Sequence, residues 1–114
     1  MTDQPFPTYA DARGDLLAVE LADVPFFVRR VFVVRGVDER LPRGDHDVPC
    51  EELVVLLEGS VRFDVDSPAG HDRVVLDKPG QRLLLSPGQS ISYVLDGPGS
   101  AILVLASAPH QERR

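Results

Sequence analysis

Apolar residues along this chain recur in short runs, many with a period of two, and most runs are closed by Gly, Pro, Asp or Ser. Such alternation marks half-buried β-strands, because successive side chains on a strand point to opposite faces. Val61 to Val65 is the cleanest case, apolar on one face and carrying Arg62 and Asp64 on the other. Further strands are predicted over 16–21, 26–34, 52–57, 73–76, 83–85, 91–95 and 101–106. Turn chemistry separates them at Asp11–Asp15, Glu58-Gly59, Ser67–Gly70, Lys78–Gly80, Ser86–Gly88 and Asp96–Gly99. Glu58-Gly59 is read as a hairpin turn joining the strand over 52–57 to its successor. The longest helical candidate, 12–22, contains Gly14 and stops before Pro25, so no long helix is expected. About eight or nine short strands at roughly 8–12-residue spacing predict an all-β jelly roll, sandwich or small barrel.

Residues 1–10 hold Pro5 and Pro7 and no periodicity, and read as a loose tail or an arm that pairs with another subunit. The barrel is expected over 11–107 and a solvated tail over 108–114. With 114 residues the chain is one domain. A net charge of -6 argues against general nucleic-acid binding, which needs clustered Lys and Arg, but leaves room for a phosphorylated small ligand held by one or two arginines. Cys50 is the lone cysteine, so no internal disulfide forms and a reducing compartment is the simpler reading. The N-terminus lacks the basic and apolar regions of a signal peptide, and no apolar run approaches the ~20 residues that span a bilayer. A soluble, cytoplasmic protein without membrane contact is expected.

The chemistry concentrates between Arg43 and Gly59, in RGDHDVPCEELVVLLEG. His46 is the side chain there whose ordinary pKa suits proton transfer near neutral pH. Upstream, Arg30 shares a strand face with Val28 and Phe32 while Arg29 and Val31 share the other, so one of the two arginines is expected to point into a cavity; a buried Arg30 would take Glu52 or a ligand phosphate as its partner. Glu51 and Glu52 are adjacent, so on a strand they face opposite ways and cannot act as a paired acid and base. Cys50 reads as a buried, inert thiol, and His71 and His110 as surface residues.

The spacing of His46, Glu52 and Gly59 resembles the first motif of the cupins, small β-barrels that often hold a metal. The second histidine of that motif is Val48 here, and the histidine of the second cupin motif, counted from Pro87, is Ser92. One His and one Glu fall short of the three or four ligands a transition metal needs, so no metal and no other cofactor is expected.

A longer resemblance runs from about Asp11 to Ser107. Asp11-Ala12-Arg13-Gly14-Asp15-Leu16, Arg30-Val31-Phe32, Arg43-Gly44-Asp45-His46 and Glu52 to Ser60 follow one another as in the cupin-fold sugar 3,4-ketoisomerases that act on dTDP-4-keto-6-deoxyglucose. This resemblance implies a metal-free β-barrel, dimeric through its N-terminal strands, in which a histidine carries the proton between the carbons flanking a keto group. It implies His46 as that shuttle, Arg13 facing the sugar or diphosphate, and Arg30 and Arg43 framing an anionic ligand. Glu52 and Tyr93 are added as ligand contacts, Tyr93 to supply the hydroxyl lost where the family's strand tyrosine is Phe32. The family's late Trp-His pair is replaced by Ser90 and Ile91. The leading expectation is therefore a nucleotide-sugar ketoisomerase working through an enediol. The alternatives are a cupin that binds a small anionic ligand without turnover, which the absent second histidine favours, and a metal-dependent cupin oxygenase.

Overall fold

The computed structural model describes residues 4–110, without the side chain of Asp45, so the expected ends of the arm (1–3) and the tail (111–114) lie outside the described residues. Ten strands are formed there: β1 (Thr8–Asp11), β2 (Gly14–Leu17), β3 (Arg30–Arg35), β4 (Arg43–Asp47), β5 (Glu52–Glu58), β6 (Val61–Ser67), β7 (Gly70–Leu76), β8 (Arg82–Leu85), β9 (Ser90–Leu95) and β10 (Ala101–Ala106). One turn of 3-10 helix, Leu21–Asp23, is the only helical element among the described residues. The strands make two four-stranded antiparallel sheets, ordered β3-β10-β5-β8 and β4-β9-β6-β7, and a separate β1-β2 ribbon. The all-β expectation holds, with two sheets packed as a sandwich. No helix among the described residues is long and apolar enough to cross a membrane.

Burial explains why the strands differ in pattern. On β6 and β9 every second residue is buried (Val61, Phe63, Val65; Ile91, Tyr93, Leu95), because the far face of their sheet meets solvent. The strand β10, and β5 between its terminal Glu52 and Glu58, are apolar throughout because their part of the sheet is covered on both faces. Val54, Leu56, Ile102 and Val104 pack between the sheets, whereas Leu53, Val55 and Leu105 pack outward under Phe6, Val24 and Phe26. The chain before β3 is thus the lid of a second core. Phe6, 4% exposed, donates its amide to the Gly80 carbonyl at 2.9 Å, and the Arg82 guanidinium lies 4.5 Å from its ring centroid.

Several elements depart from the expectation. The boundary drawn after residue 10 falls inside the β1-β2 ribbon, where Thr8 pairs with Leu17 and Asp11 with Gly14. The strand predicted over 16–21 ends at Leu17, and the one predicted over 26–34 begins at Arg30, because Val19, Phe26 and Val28 are spent on the second core instead of on a ladder. The segment Arg43–Asp47, too polar to read as a strand, pairs with β9. Glu58-Gly59 closes no hairpin. β5 pairs with β10 and β8 while β6 lies in the other sheet, so this turn is the corner where the chain changes sheets. Ser100 locks that corner, its Oγ accepting from the Ser60 amide at 3.0 Å and donating to the Asp96 carbonyl at 2.9 Å. A Cβ on Gly59, whose φ is +73°, would run into the same Oγ.

The second core makes a stability prediction. Phe6→Ala should cost about 3–5 kcal/mol in denaturant unfolding, as expected for a buried phenylalanine; a loss under ~1 kcal/mol would show that the N-terminal segment does not seal the sheet.

Candidate active site

The two sheets leave a cavity of about 580 Å³ between them at one end of the sandwich. This is within the ~300–1,000 Å³ of small-molecule sites. Its floor is apolar, made by Val54, Ile102 and Val104 from one sheet and Phe63 and Ile91 from the other. Polar groups enter from both sheets, Arg30 and Glu52 from one and His46, Asp47 and Tyr93 from the other. Four of the six site residues expected from sequence, His46, Arg30, Glu52 and Tyr93, are therefore brought together.

His46 owes its place to an irregularity in β4. Arg43 stands opposite Tyr93 and His46 opposite Ile91, so three steps on β4 match two on β9 and the register shifts between them. Gly44 sits in that bulge with φ +78°, and a Cβ there would lie 2.5 Å from the Tyr93 ring. Only glycine meets both demands, a left-handed backbone and close approach to an aromatic face. The Tyr93 ring is held from behind by Phe63, stacked at 4.8 Å with 23° between the planes. The glycine of the Arg-Gly-x-His motif thus lets β4 ride over Tyr93 and returns His46 to the side of Ile91, facing the cavity. Among the described residues none hydrogen-bonds to the Tyr93 hydroxyl, which leaves it open to a ligand.

Arg30 and Glu52 are placed by the other sheet. Ala106 on β10 pairs with Arg30 on one side and Glu52 on the other, so the three form a row across β3, β10 and β5. The alanine between them leaves the space over the row empty, and both long side chains turn into it. The Arg30 guanidinium carbon lies 4.5 Å from the centroid of the Phe32 ring. Phe32, in the place of the family's tyrosine, therefore holds the arginine by a cation–π contact. Burial pushes the Glu52 carboxyl above the ordinary glutamate range, while the charges of His46 and Arg30 pull it part of the way back. Glu51 turns away as the strand period requires, accepting from Ser86 Oγ at 2.9 Å.

Two expected residues are not in the cavity. Arg43, the first residue of β4, is exposed and does not line the cavity. Arg13 stands at the tip of the β1-β2 ribbon, 91% exposed, with Nη2 2.6 Å from Asp11 Oδ2. That hydrogen bond holds the Asp11 carboxyl below its usual range. The positions where cupin histidines were missing are also explained. Val48 is 4% exposed in the core between the sheets, and Ser92 pairs with Asp64 on the outer face of its sheet. Among the described residues no three His, Cys, Asp or Glu side chains converge closely enough to hold a metal ion.

Sequence reasoning missed several lining residues. Cys50, read as buried and inert, is half-buried on the cavity wall. His110, read as a tail residue, lines the cavity with Ala108 and Pro109. Neither has a local motif; each arrives through the path of the strand beside it. His71 is a surface residue as expected, its Nδ1 2.7 Å from Asp66 Oδ1 and its pKa raised chiefly by that hydrogen bond.

The site makes two predictions. Gly44→Ala should destabilise the protein by about 1–3 kcal/mol, through positive-φ strain and the clash with Tyr93, and displace His46; equal stability by denaturant unfolding would contradict the bulge. For Glu52, the raised folded pKa keeps the proton on the native carboxyl over an interval in which the unfolded chain has released it. Stability contributed by this group therefore falls as pH rises through that interval. Relative to wild type, Glu52→Gln should gain in melting temperature as the pH rises above the ordinary glutamate range. A pH-independent difference would show that burial does not penalise the carboxylate.

Comparison with known proteins places the chain in a family and finds its fold in solved structures. The family model described as FdtA: WxcM-like, C-terminal matches residues 2–114. The TDP-4-oxo-6-deoxy-alpha-D-glucose-3,4-oxoisomerase of Aneurinibacillus thermoaerophilus is 32% identical over 84 residues, which cover 72% of this chain and 60% of that relative's length. Among solved structures, the sugar 3,4-ketoisomerase QdtA of Thermoanaerobacterium thermosaccharolyticum, in complex with TDP, superposes with a TM-score of 0.82 at 28% identity, covering 94% of this chain and 80% of that one. The TDP-quinovose 3,4-ketoisomerase WlaRB of Campylobacter jejuni gives 0.80 at 26% identity, over 94% and 84% of the two chains.

Proposed function

The chain belongs to the FdtA: WxcM-like, C-terminal family, and from that premise we propose that it is a sugar 3,4-ketoisomerase acting on a TDP-linked 4-keto-6-deoxy sugar. The observation that carries the reading is the convergence of His46, Glu52 and Arg30 in one cavity of a fold shared with solved ketoisomerases along nearly the whole chain.

The keto group at C4 acidifies the proton on C3. His46 takes that proton, and the electrons of the C–H bond form a C3–C4 double bond as the carbonyl oxygen gains a proton. The resulting enediol collapses the other way: O3 loses its proton, C3 becomes the carbonyl, and His46 returns a proton to C4. Nothing is oxidised or reduced overall. Glu52, close enough for its charge to be coupled to that of His46, stabilises the imidazolium formed midway. Arg30 contributes positive charge for the anionic part of the ligand, and the Tyr93 hydroxyl hydrogen-bonds a sugar oxygen. The reaction is proposed to run without a metal, because Val48 and Ser92 stand where further ligands are needed. The lone thiol supports a cytoplasmic setting.

Arg13 enters this scheme through a homodimer. The β1-β2 ribbon pairs with neither main sheet, and its cross-strand pair Tyr9 and Leu16 is 60% and 59% exposed. Val31 and Val33 are exposed on the edge strand β3. These apolar surfaces suit a second copy of the chain, whose cavity Arg13 would then serve. Binding without turnover is the second reading, and the apolar Val48 at a catalytic position of the family favours it.

Addition of TDP should raise the melting temperature in proportion to ligand-linked stabilisation and protect Cys50 from a thiol reagent; no response on either count overturns the nucleotide site. His46→Ala should lower turnover of TDP-4-keto-6-deoxyglucose by about 10²–10⁴-fold while TDP still binds. Undiminished turnover would exclude His46 as the base, and wild-type binding without turnover would establish the second reading.

A further inference from the structure

The proton bookkeeping of an enediol path involves two kinds of transfer, and one imidazole covers only one of them. As His46 removes the carbon proton, the carbonyl oxygen must gain one, and in the second half the other oxygen must give its proton up. The position of the family's second histidine is closed to this task, because Val48 packs in the core and has no titratable group. The cavity holds another imidazole. β10 ends at Ala106, in the row between Arg30 and Glu52, and the Ser107 amide donates to the Glu51 carbonyl at 2.9 Å. From that anchor Ala108, Pro109 and His110 run along the cavity wall. His110 is exposed at this rim, in contact with both the cavity and solvent. Among the other titratable side chains of the lining, Glu52 is already engaged by the charges of His46 and Arg30, Asp47 accepts from Ser90 Oγ at 2.6 Å, and a thiol or phenol is ordinarily too basic for exchange near neutral pH, whereas histidine is suited to it.

We propose that His110 is the second proton-transfer residue of this cavity, working on the sugar oxygens while His46 works on the carbons. The proposal rests on the ketoisomerase reading. In the first half-reaction His46 accepts the C3 proton, the C3–H electron pair becomes the C3–C4 double bond, and the π pair of the C4 carbonyl takes a proton from His110. In the second half the O3 proton passes to His110, its O–H pair forms the C3 carbonyl, and the double-bond pair takes the proton from His46 at C4. Both imidazoles finish as they began, and no oxidant or other co-reactant is consumed.

The test compares His110→Ala and His110→Gln with wild type in the full chain, after equal melting temperatures confirm that each folds. Both variants should lose about 10²-fold in kcat, the lower end of general acid–base effects. KM and the TDP-induced thermal shift should stay within about twofold, one limb of the pH profile of kcat/KM should disappear, and added imidazole should restore part of the rate to His110→Ala. In the wild type, the His110 ring resonances should move when the TDP-sugar is added. Turnover by His110→Ala within about twofold of wild type would overturn the proposal and leave the ketoisomerase reading standing. A loss confined to KM would overturn it in favour of a binding role. A wild type that turns over no TDP-4-keto sugar overturns the reading itself and this proposal with it.

Discussion

The site depends on one contact: the backbone of Gly44 laid against the ring of Tyr93, which is itself stacked on Phe63. Close approach of a chain to an aromatic face, at a φ that side chains resist, leaves glycine as the residue that fits. That approach opens the bulge in β4, and the bulge decides which side of the sheet His46 faces. A regular ladder from Arg43 onward would advance the two strands in step and place Asp45, not His46, opposite Ile91. The catalytic proposal therefore stands on a packing constraint two residues before the histidine.

The opposite wall obeys a different constraint. Its central strands are buried on both faces and apolar between their ends, so charged residues stand only at strand termini: Arg35 and Glu58 at one end, Arg30 and Glu52 at the open end of the sandwich. Arg30, Ala106 and Glu52 occupy that end. The small residue at the centre lets two charged side chains lean over it into partly dry space, raising the Glu52 carboxyl pKa and aligning Arg30 along Phe32. The same row anchors the chain that carries His110 back to the cavity, so both walls converge on one chemistry.

What could be read without coordinates followed from the physics of each segment. Strands β6, β9 and β10 were legible because alternation or an unbroken apolar run reflects their burial directly. β4 was not, since Arg43–Asp47 is held by backbone pairing and contributes almost no apolar area. β1 was hidden in the same way, and Phe6 gave no periodic signal because it is a single plug. At the site, His46, Arg30 and Glu52 were visible through motif spacing and strand parity. Arg43 shares the motif of His46 yet is exposed outside the cavity, and Arg13 stands at the tip of a ribbon that pairs with neither main sheet. His110 was invisible because only the path of β10 past Glu51 and Glu52 brings it to the cavity.

The central claim is that this cavity moves a proton between the two carbons beside a keto group, with His46 as carrier. The most direct measurement follows TDP-4-keto-6-deoxyglucose with the wild-type chain in deuterated water by proton NMR. The account predicts conversion to the 3-keto isomer with deuterium entering at C3 or C4, because the proton held by His46 exchanges with solvent before it is returned. A bound substrate that neither isomerises nor takes up deuterium at either carbon would contradict it.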